Sequence, residues 1–400
     1  MGCFFSHYRH TDVTPTTTIA TATTTATTTA DTATIQTLTE QVNYQQKIIQ
    51  DQLCLIDTLK NKYNTLNQKN NNNTQTDNSG DILNAKANKD YEYIVLSGGG
   101  IKGVSYCGAL EVLDKYNIIY DKDGKLKIKG FAGTSAGSIT ASLLAVGMKV
   151  DDLKTLITGI DFDKFLDDKV SYIRDGINFI KHYGLCPGEY VQNLIADQVE
   201  KITGNRDYTI QQLYDDKGVT LVIVSTDMNN QKSIYMYPNN PNTLYSQIPI
   251  HMAVRMSMSI PFLFMPVLYD NNYHVDGGVL DNYAIHVFDG AYPGDPNARL
   301  NICAPNPKVL GLQIITTDDV MGYKVVNRQP INGIIQYSIS FIDTFMTEND
   351  RRVMSSDNYL RTIFIVTANY PLTTFSLTDQ QRQDLISAGT KYTDAYFTDE

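Results

Sequence analysis

The chain has 400 residues, 42% of them hydrophobic, and a formal net charge of −10. That length holds one sizeable core with residues to spare, and an acidic balance without a basic cluster argues against nucleic-acid partners and against docking on anionic lipid by charge alone. Five scattered cysteines without a CxxC pair (Cys3, Cys54, Cys107, Cys186, Cys303) argue against a disulfide framework or a zinc site and fit a reducing, cytoplasmic setting.

No apolar run reaches the ~18 residues a membrane-spanning helix needs, and the N-terminus lacks the apolar core of a secretory signal. Residues 1–10 begin Met1-Gly2-Cys3-Phe4-Phe5-Ser6, which fits the N-myristoylation pattern at Gly2, with Cys3 beside it open to palmitoylation. Two chains anchor a protein to membrane where one binds weakly; an ordinary disordered start fits the same residues. Residues 11–34 are nearly all Thr and Ala and predict a disordered spacer. In 35–66, Ile35, Leu38, Val42, Ile49, Ile56, Leu59, Tyr63 and Leu66 fall on a and d positions, with Gln45 and Gln52 interrupting the seam. The segment reads equally as a homo-oligomeric coiled coil or as a lone amphipathic helix. Residues 67–90 are an Asn-rich linker.

The body, 91–372, opens with a strand at Tyr93–Leu96, stopped by glycines, then a helix over Val104–Tyr116. A strand at Lys127–Phe131 and a helix at Ser138–Val146 follow. Later strands are expected at Val219–Ser225, Phe264–Leu268, Tyr273–Val275, Val309–Ile315 and Thr362–Val366, and 373–400 as a C-terminal tail. Strands alternating with helices predict an α/β fold, a central mixed, mostly parallel sheet covered by helices on both faces. Gly333–Met346 is amphipathic enough to touch membrane, but core packing is its expected role.

Gly133-Thr134-Ser135-Ala136-Gly137 is a G-x-S-x-G pattern between a strand and a helix. There a serine hydroxyl projects from a strained turn, and the helix N-terminus favours negative charge. A plain Gly-rich connection has the same letters. Gly98-Gly99-Gly100-Ile101-Lys102-Gly103 sits in the same context, and its uncovered amides form a nest for an oxyanion. It also satisfies G-x-G-x-x-G, but the next strand ends in Ala132-Gly133-Thr134 and offers no acid for a ribose. A P-loop fails because Val104 stands where Lys is required.

A serine nucleophile needs a proton acceptor. His182, His251, His274 and His286 read as surface or structural. Val275-Asp276-Gly277-Gly278 instead ends a strand with an acid and two glycines. Asp276 there could accept the serine proton if burial strengthened it as a base; taken alone, a solvated Asp-Gly turn is the simpler reading.

Together the three segments resemble the patatin-like phospholipase family, which combines a G-G-G-x-[R/K]-G loop, a G-x-S-x-G elbow and a D-G-[G/A] segment in this order. Ala253–Phe262 with Pro266, and Gly184–Gly188, are similar to further stretches of that family. The resemblance covers roughly 91–316. It implies a Ser-Asp dyad without histidine, with Ser135 as nucleophile and Asp276 as base. It places the oxyanion on the amides of Gly99, Gly100 and Ile101, and gives Lys102 a part in shaping the loop and attracting an anionic headgroup. Many relatives have arginine at that position, and Asn then Pro soon after D-G-G, where this chain has Asn282-Tyr283-Ala284. A phospholipid or other acyl-lipid substrate at a membrane surface is implied, with no cofactor and no metal. Leu153–Ile160 and Tyr190–Ile195 are candidate walls of an acyl channel, or simply core helices. An acyltransferase working through the same acyl-enzyme and a membrane-anchored non-catalytic scaffold remain as alternatives to hydrolysis.

Overall fold

A computed structural model describes residues 89–166, 181–300, 303–317, 331, 333–352, 356–371 and 374–398. The readings of the tail, namely acylation at Gly2 and Cys3, the spacer 11–34, oligomerisation through 35–66 and nearly all of the linker, lie outside the described residues.

Ten strands are described: β1 (Tyr93–Leu96), β2 (Gly130–Thr134), β3 (Gly184–Cys186), β4 (Thr220–Asp227), β5 (Lys232–Met236), β6 (Phe262–Phe264), β7 (Val267–Tyr269), β8 (Asn272–Asp276), β9 (Val309–Thr316) and β10 (Thr362–Thr367). The principal helices are α1 (Ser105–Lys115), α2 (Ala136–Ala145), α3 (Val150–Gly159), α4 (Glu189–Thr203), α5 (Ile210–Lys217), α6 (Ile250–Ser257), α7 (Ile334–Arg352) and α8 (Asp379–Thr398). The main sheet runs β10-β9-β1-β2-β4-β8-β7, with β5 also on β4. From β10 to β4 every pairing is parallel, whereas β5, β7 and β8 join antiparallel. The sheet is therefore mixed and mostly parallel.

Alternate residues of the central strands enter two cores. Ile94, Leu96, Phe131, Leu221 and Ile223 face the larger core with the long helices, while Val95, Ala132, Val222 and Val224 face a smaller one closed by Tyr283, Ile285 and Val287. Burial on both faces explains why these strands read as continuous apolar runs. The chain leaves β1 toward β2 on one side and returns to β9 on the other. β1 and β9 thus flank a topological switch point, and a crevice opens beyond the carboxyl ends of such strands.

Three expectations change. The strand expected at Lys127–Phe131 lies at Gly130–Thr134, because pairing with β1 and β4 overrides the weak strand propensity of its glycines. The strand expected at Phe264–Leu268 is two: β6 pairs with β3 in a separate two-stranded sheet and β7 joins the main one. Pro266 between them lacks the N–H that a continuous ladder needs. Residues expected as a C-terminal tail instead form α8 on α1, with Leu385, Ile386, Tyr396 and Phe397 in the main core. These helices meet backbone to backbone: a Cβ on Gly389 would overlap the Ser105 carbonyl. Packing through a bare glycine leaves little apolar stripe to read.

Candidate active site

Three chain segments meet at the carboxyl ends of β1, β2 and, on the far side of β4, β8. The first is the elbow. Ser135, between β2 and α2, has φ 51° and ψ −125°, a backbone geometry costing about 1–3 kcal/mol for a residue with a side chain. Bonds on both sides hold it there. Its N–H donates to Ser257 Oγ at 2.9 Å. Its carbonyl accepts the Ser138 N–H at 2.8 Å and the Ser138 hydroxyl at 2.6 Å. The flanking glycines answer to close approach. A Cβ on Gly137 would sit 2.5 Å from the Leu96 carbonyl oxygen, and one on Gly133 would overlap the Gly137 carbonyl. A bare Gly137 lets α2 lie against the end of β1, and a bare Gly133 lets β2 lie against the start of α2.

The second segment is the glycine loop after β1. Gly100 has φ +55°, and residues Gly100–Val104 form a 3-10 turn. Gly98 N–H is engaged by the Asn282 carbonyl at 3.0 Å, and Lys102 N–H by the Gly99 carbonyl at 3.2 Å. The amides between them, of Gly99, Gly100 and Ile101, make no hydrogen bond with the described residues. Ser97 supports the loop from below, where its Oγ accepts the Ile314 N–H at 3.0 Å. A Cβ on Gly98 would lie 3.2 Å from Ser135 Cβ, and one on Gly103 2.9 Å from Ala136 Cβ, so this loop and the elbow are in contact.

The third segment carries Asp276 at the end of β8, which is completely buried, not a solvated turn. Its N–H donates to the Ser259 carbonyl at 2.8 Å, and its Oδ1 accepts the Gly278 N–H at 2.8 Å. Oδ2 is buried and makes no hydrogen bond of normal geometry. Burial pushes the carboxyl from 3.8 up to about 7, outweighing the Ser135 hydroxyl beside it and the Gly278 N–H, which both lower it. Gly277 packs under the Val224 carbonyl, and Gly278 under Met346 of α7. Ser135 and Asp276 are thus brought together, with the open amides of the glycine loop lining the same recess.

The histidines take other roles. His274 is fully buried two residues before Asp276, and its Nδ1 pairs with Ser225 Oγ at 3.3 Å; burial lowers its pKa. His251 pairs with Asp207 at 2.9 Å and His286 with Tyr235 at 3.3 Å. His182 is exposed.

A pocket of about 610 Å3, open mouth included, starts at Gly100, Ile101 and Ser135 and runs between Ile157, Phe165, Phe264 and Phe375. Among the described residues none that lines it is charged. Of the two segments considered as channel walls, the first contributes Ile157, whereas no residue of Tyr190–Ile195 lines the pocket. Tyr190 packs behind the wall, against Phe165, at 5.7 Å between rings. Phe375 has no counterpart among the expected site residues, because its segment carries no motif.

Residues 94–289 match the family model described as patatin-like phospholipase. The chain is 27% identical over 304 residues to an uncharacterized protein of Acanthamoeba polyphaga mimivirus, spanning 74% of this chain and 91% of that one. It is 28% identical over 201 residues to a probable lipid hydrolase of Invertebrate iridescent virus 6, spanning 50% of this chain and 63% of that protein. Among solved structures, VipD from Legionella pneumophila superposes with a TM-score of 0.48 at 20% identity, over 77% of this chain and 67% of VipD.

Proposed function

The chain belongs to the patatin-like phospholipase family through residues 94–289, and from that premise we propose that it hydrolyses fatty-acyl esters of phospholipids or lysophospholipids through a Ser135–Asp276 dyad. The observation that carries this reading is the buried Asp276 carboxyl beside the strained Ser135, with its pKa raised to about 7. A base poised near the working pH transfers protons efficiently in both directions, and with no histidine at this position Asp276 must do both.

Asp276 takes the Ser135 proton as Oγ bonds to the ester carbonyl carbon, and the carbonyl electrons move onto oxygen. The open amides of Gly99, Gly100 and Ile101 donate to that oxyanion. When the tetrahedral intermediate collapses, the carbon–oxygen bond to the alcohol breaks and the alcohol leaves with the proton from Asp276. Water then repeats the sequence on the acyl-enzyme and releases a fatty acid. The uncharged pocket beginning at Ser135 suits the acyl chain, since burial of apolar surface contributes about 0.8 kcal/mol per methylene.

Such a substrate lies in a bilayer, and α7 offers a surface for it. Ile342 and Met346 turn inward and are buried, Met346 against Gly278. Ile334, Tyr337, Phe341 and Phe345 are spaced three and four apart and are 67%, 56%, 59% and 42% exposed. Core packing was the expected role of this segment; the helix packs on one side and leaves a second apolar face open. Among the described helices none is long and apolar enough to cross a membrane.

The test is fatty-acid release from phosphatidylcholine vesicles, run beside hydrolysis of a soluble short-chain ester. Wild type is expected to turn over both. The Phe341→Ser, Phe345→Ser double variant should lose about tenfold or more on vesicles, because each ring gives up on the order of 1 kcal/mol of lipid contact. Its rate on the soluble ester should be unchanged. Equal losses on the two substrates would show that α7 acts through folding and not at the interface.

A further inference from the structure

Two of the stretches that resemble the family, Gly184–Gly188 and Ala253–Phe262, belong to none of the three motifs, and the structure brings them together at Arg255. The turn that ends α6 touches both members of the dyad through their backbones. Ser257 Oγ accepts the Ser135 N–H at 2.9 Å. Two residues on, the Ser259 carbonyl accepts the Asp276 N–H at 2.8 Å. The intervening and following side chains, Met258 and Ile260, line the pocket instead. Odd-numbered residues of this turn therefore hold the reacting pair, and even-numbered ones form the wall beside it.

The turn is itself fixed. Arg255 is only 4% exposed, and each nitrogen of its guanidinium is engaged. It donates to Ser259 Oγ, to the Pro187 carbonyl through Nε at 3.1 Å and again through Nη2, and to the Met265 carbonyl at 2.8 Å. The Ser259 hydroxyl donates back to the Arg255 carbonyl at 2.8 Å. Gly188, with φ +76°, passes so close that a Cβ would strike the guanidinium. A planar fork satisfying several carbonyls at once is a task that arginine performs and lysine does not.

Resting on the dyad reading above, we propose that the 255–260 turn is the spacer that sets the separation of nucleophile and base, with Ser257 as the positioning residue for Ser135. The strained backbone at Ser135 has several escapes if its N–H loses this acceptor, and each would rotate Oγ away from Asp276. Misplacement of a reacting group by about 1 Å costs on the order of 100-fold in rate.

The experiment compares full-length wild type, Ser257→Ala, Ser257→Thr and Ser142→Ala on a soluble short-chain ester, with rates divided by the number of sites titrated with a fluorophosphonate. Ser142 is a matched control, since its buried hydroxyl on α2 makes no hydrogen bond with the described residues. Ser257→Ala should lower kcat per titrated site by about 10- to 100-fold with KM within about twofold, because binding is untouched while the attack geometry is lost. Ser257→Thr, which keeps the acceptor, should recover most of the rate, and Ser142→Ala should stay within about twofold of wild type. The spacer role is overturned if Ser257→Ala keeps its kcat, if its whole loss lies in the titre or in KM, or if Thr is as impaired as Ala. A wild type that takes no label at Ser135 overturns the dyad as well; a labelled wild type with an unimpaired Ser257→Ala overturns the spacer alone.

Discussion

Asp276→Asn is expected to lower kcat at pH 8 by about four orders of magnitude, with KM little changed, and Ser135→Ala to do at least as much. Asparagine fills the space of the carboxyl and can still accept the Gly278 N–H that Oδ1 holds. The fold therefore stays as it is, and only the capacity to take a proton goes. Because no other group stands ready to replace it, the loss should be close to the whole contribution of the base. The two substitutions should also fail to add: once either member is gone the other has nothing to act with, so the double variant should be no slower than the worse single one. Steady-state rates on a soluble ester, normalised to folded protein, check this. A residual rate within tenfold of wild type for Asp276→Asn would remove Asp276 from the chemistry.

The second large effect is on pH dependence, and it has opposite signs for activity and stability. A base works only when deprotonated, so kcat/KM should be half-maximal near pH 7 and fall about tenfold per pH unit below it, given the carboxyl pKa of about 7. For folding, burial raises that pKa from the ordinary 3.8. Between pH 4 and 7 the folded state holds a proton that the unfolded state has released, so stability falls as pH rises through this window. Above pH 7 the full penalty is in place, up to ~4 kcal/mol for a displacement of about three pH units. Asp276→Asn removes it. The variant should melt above wild type at pH 8, by on the order of 10 °C for a domain of this size, and the gap should close toward pH 5. A difference in Tm that is the same at pH 5 and pH 8 would mean that the buried charge is not its source. A gap that opens between pH 5 and pH 8 means instead that the buried carboxylate is kept at the expense of stability, as strained and desolvated sites commonly are.

The parts of the fold that are legible in the sequence are those where local pattern and tertiary demand agree. β1, β9 and β10 are apolar runs bounded by turn residues and lie where they are expected. The elbow and the glycine loop are legible because bare positions have a steric cause: Gly137 must let α2 touch β1, and Gly133 must let β2 touch α2. What stays hidden depends on partners far along the chain. β2 consists of weak strand formers and is set by its neighbours on both sides. α8 is anchored at Gly389, where the informative feature is a missing side chain. The burial of Asp276, which raises the pKa of its carboxyl to about 7, comes from β4, α7 and the Ser257–Ser259 turn, and no local pattern records it.

Whether Ser135 is the nucleophile is decided by fluorophosphonate labelling of the full chain followed by intact mass and peptide mapping. A single adduct per chain is expected, on Ser135, absent from Ser135→Ala and accompanied by complete loss of fatty-acid release. Fatty-acid release that persists after Ser135 is fully modified, or an adduct carried by another residue in step with inactivation, would contradict it.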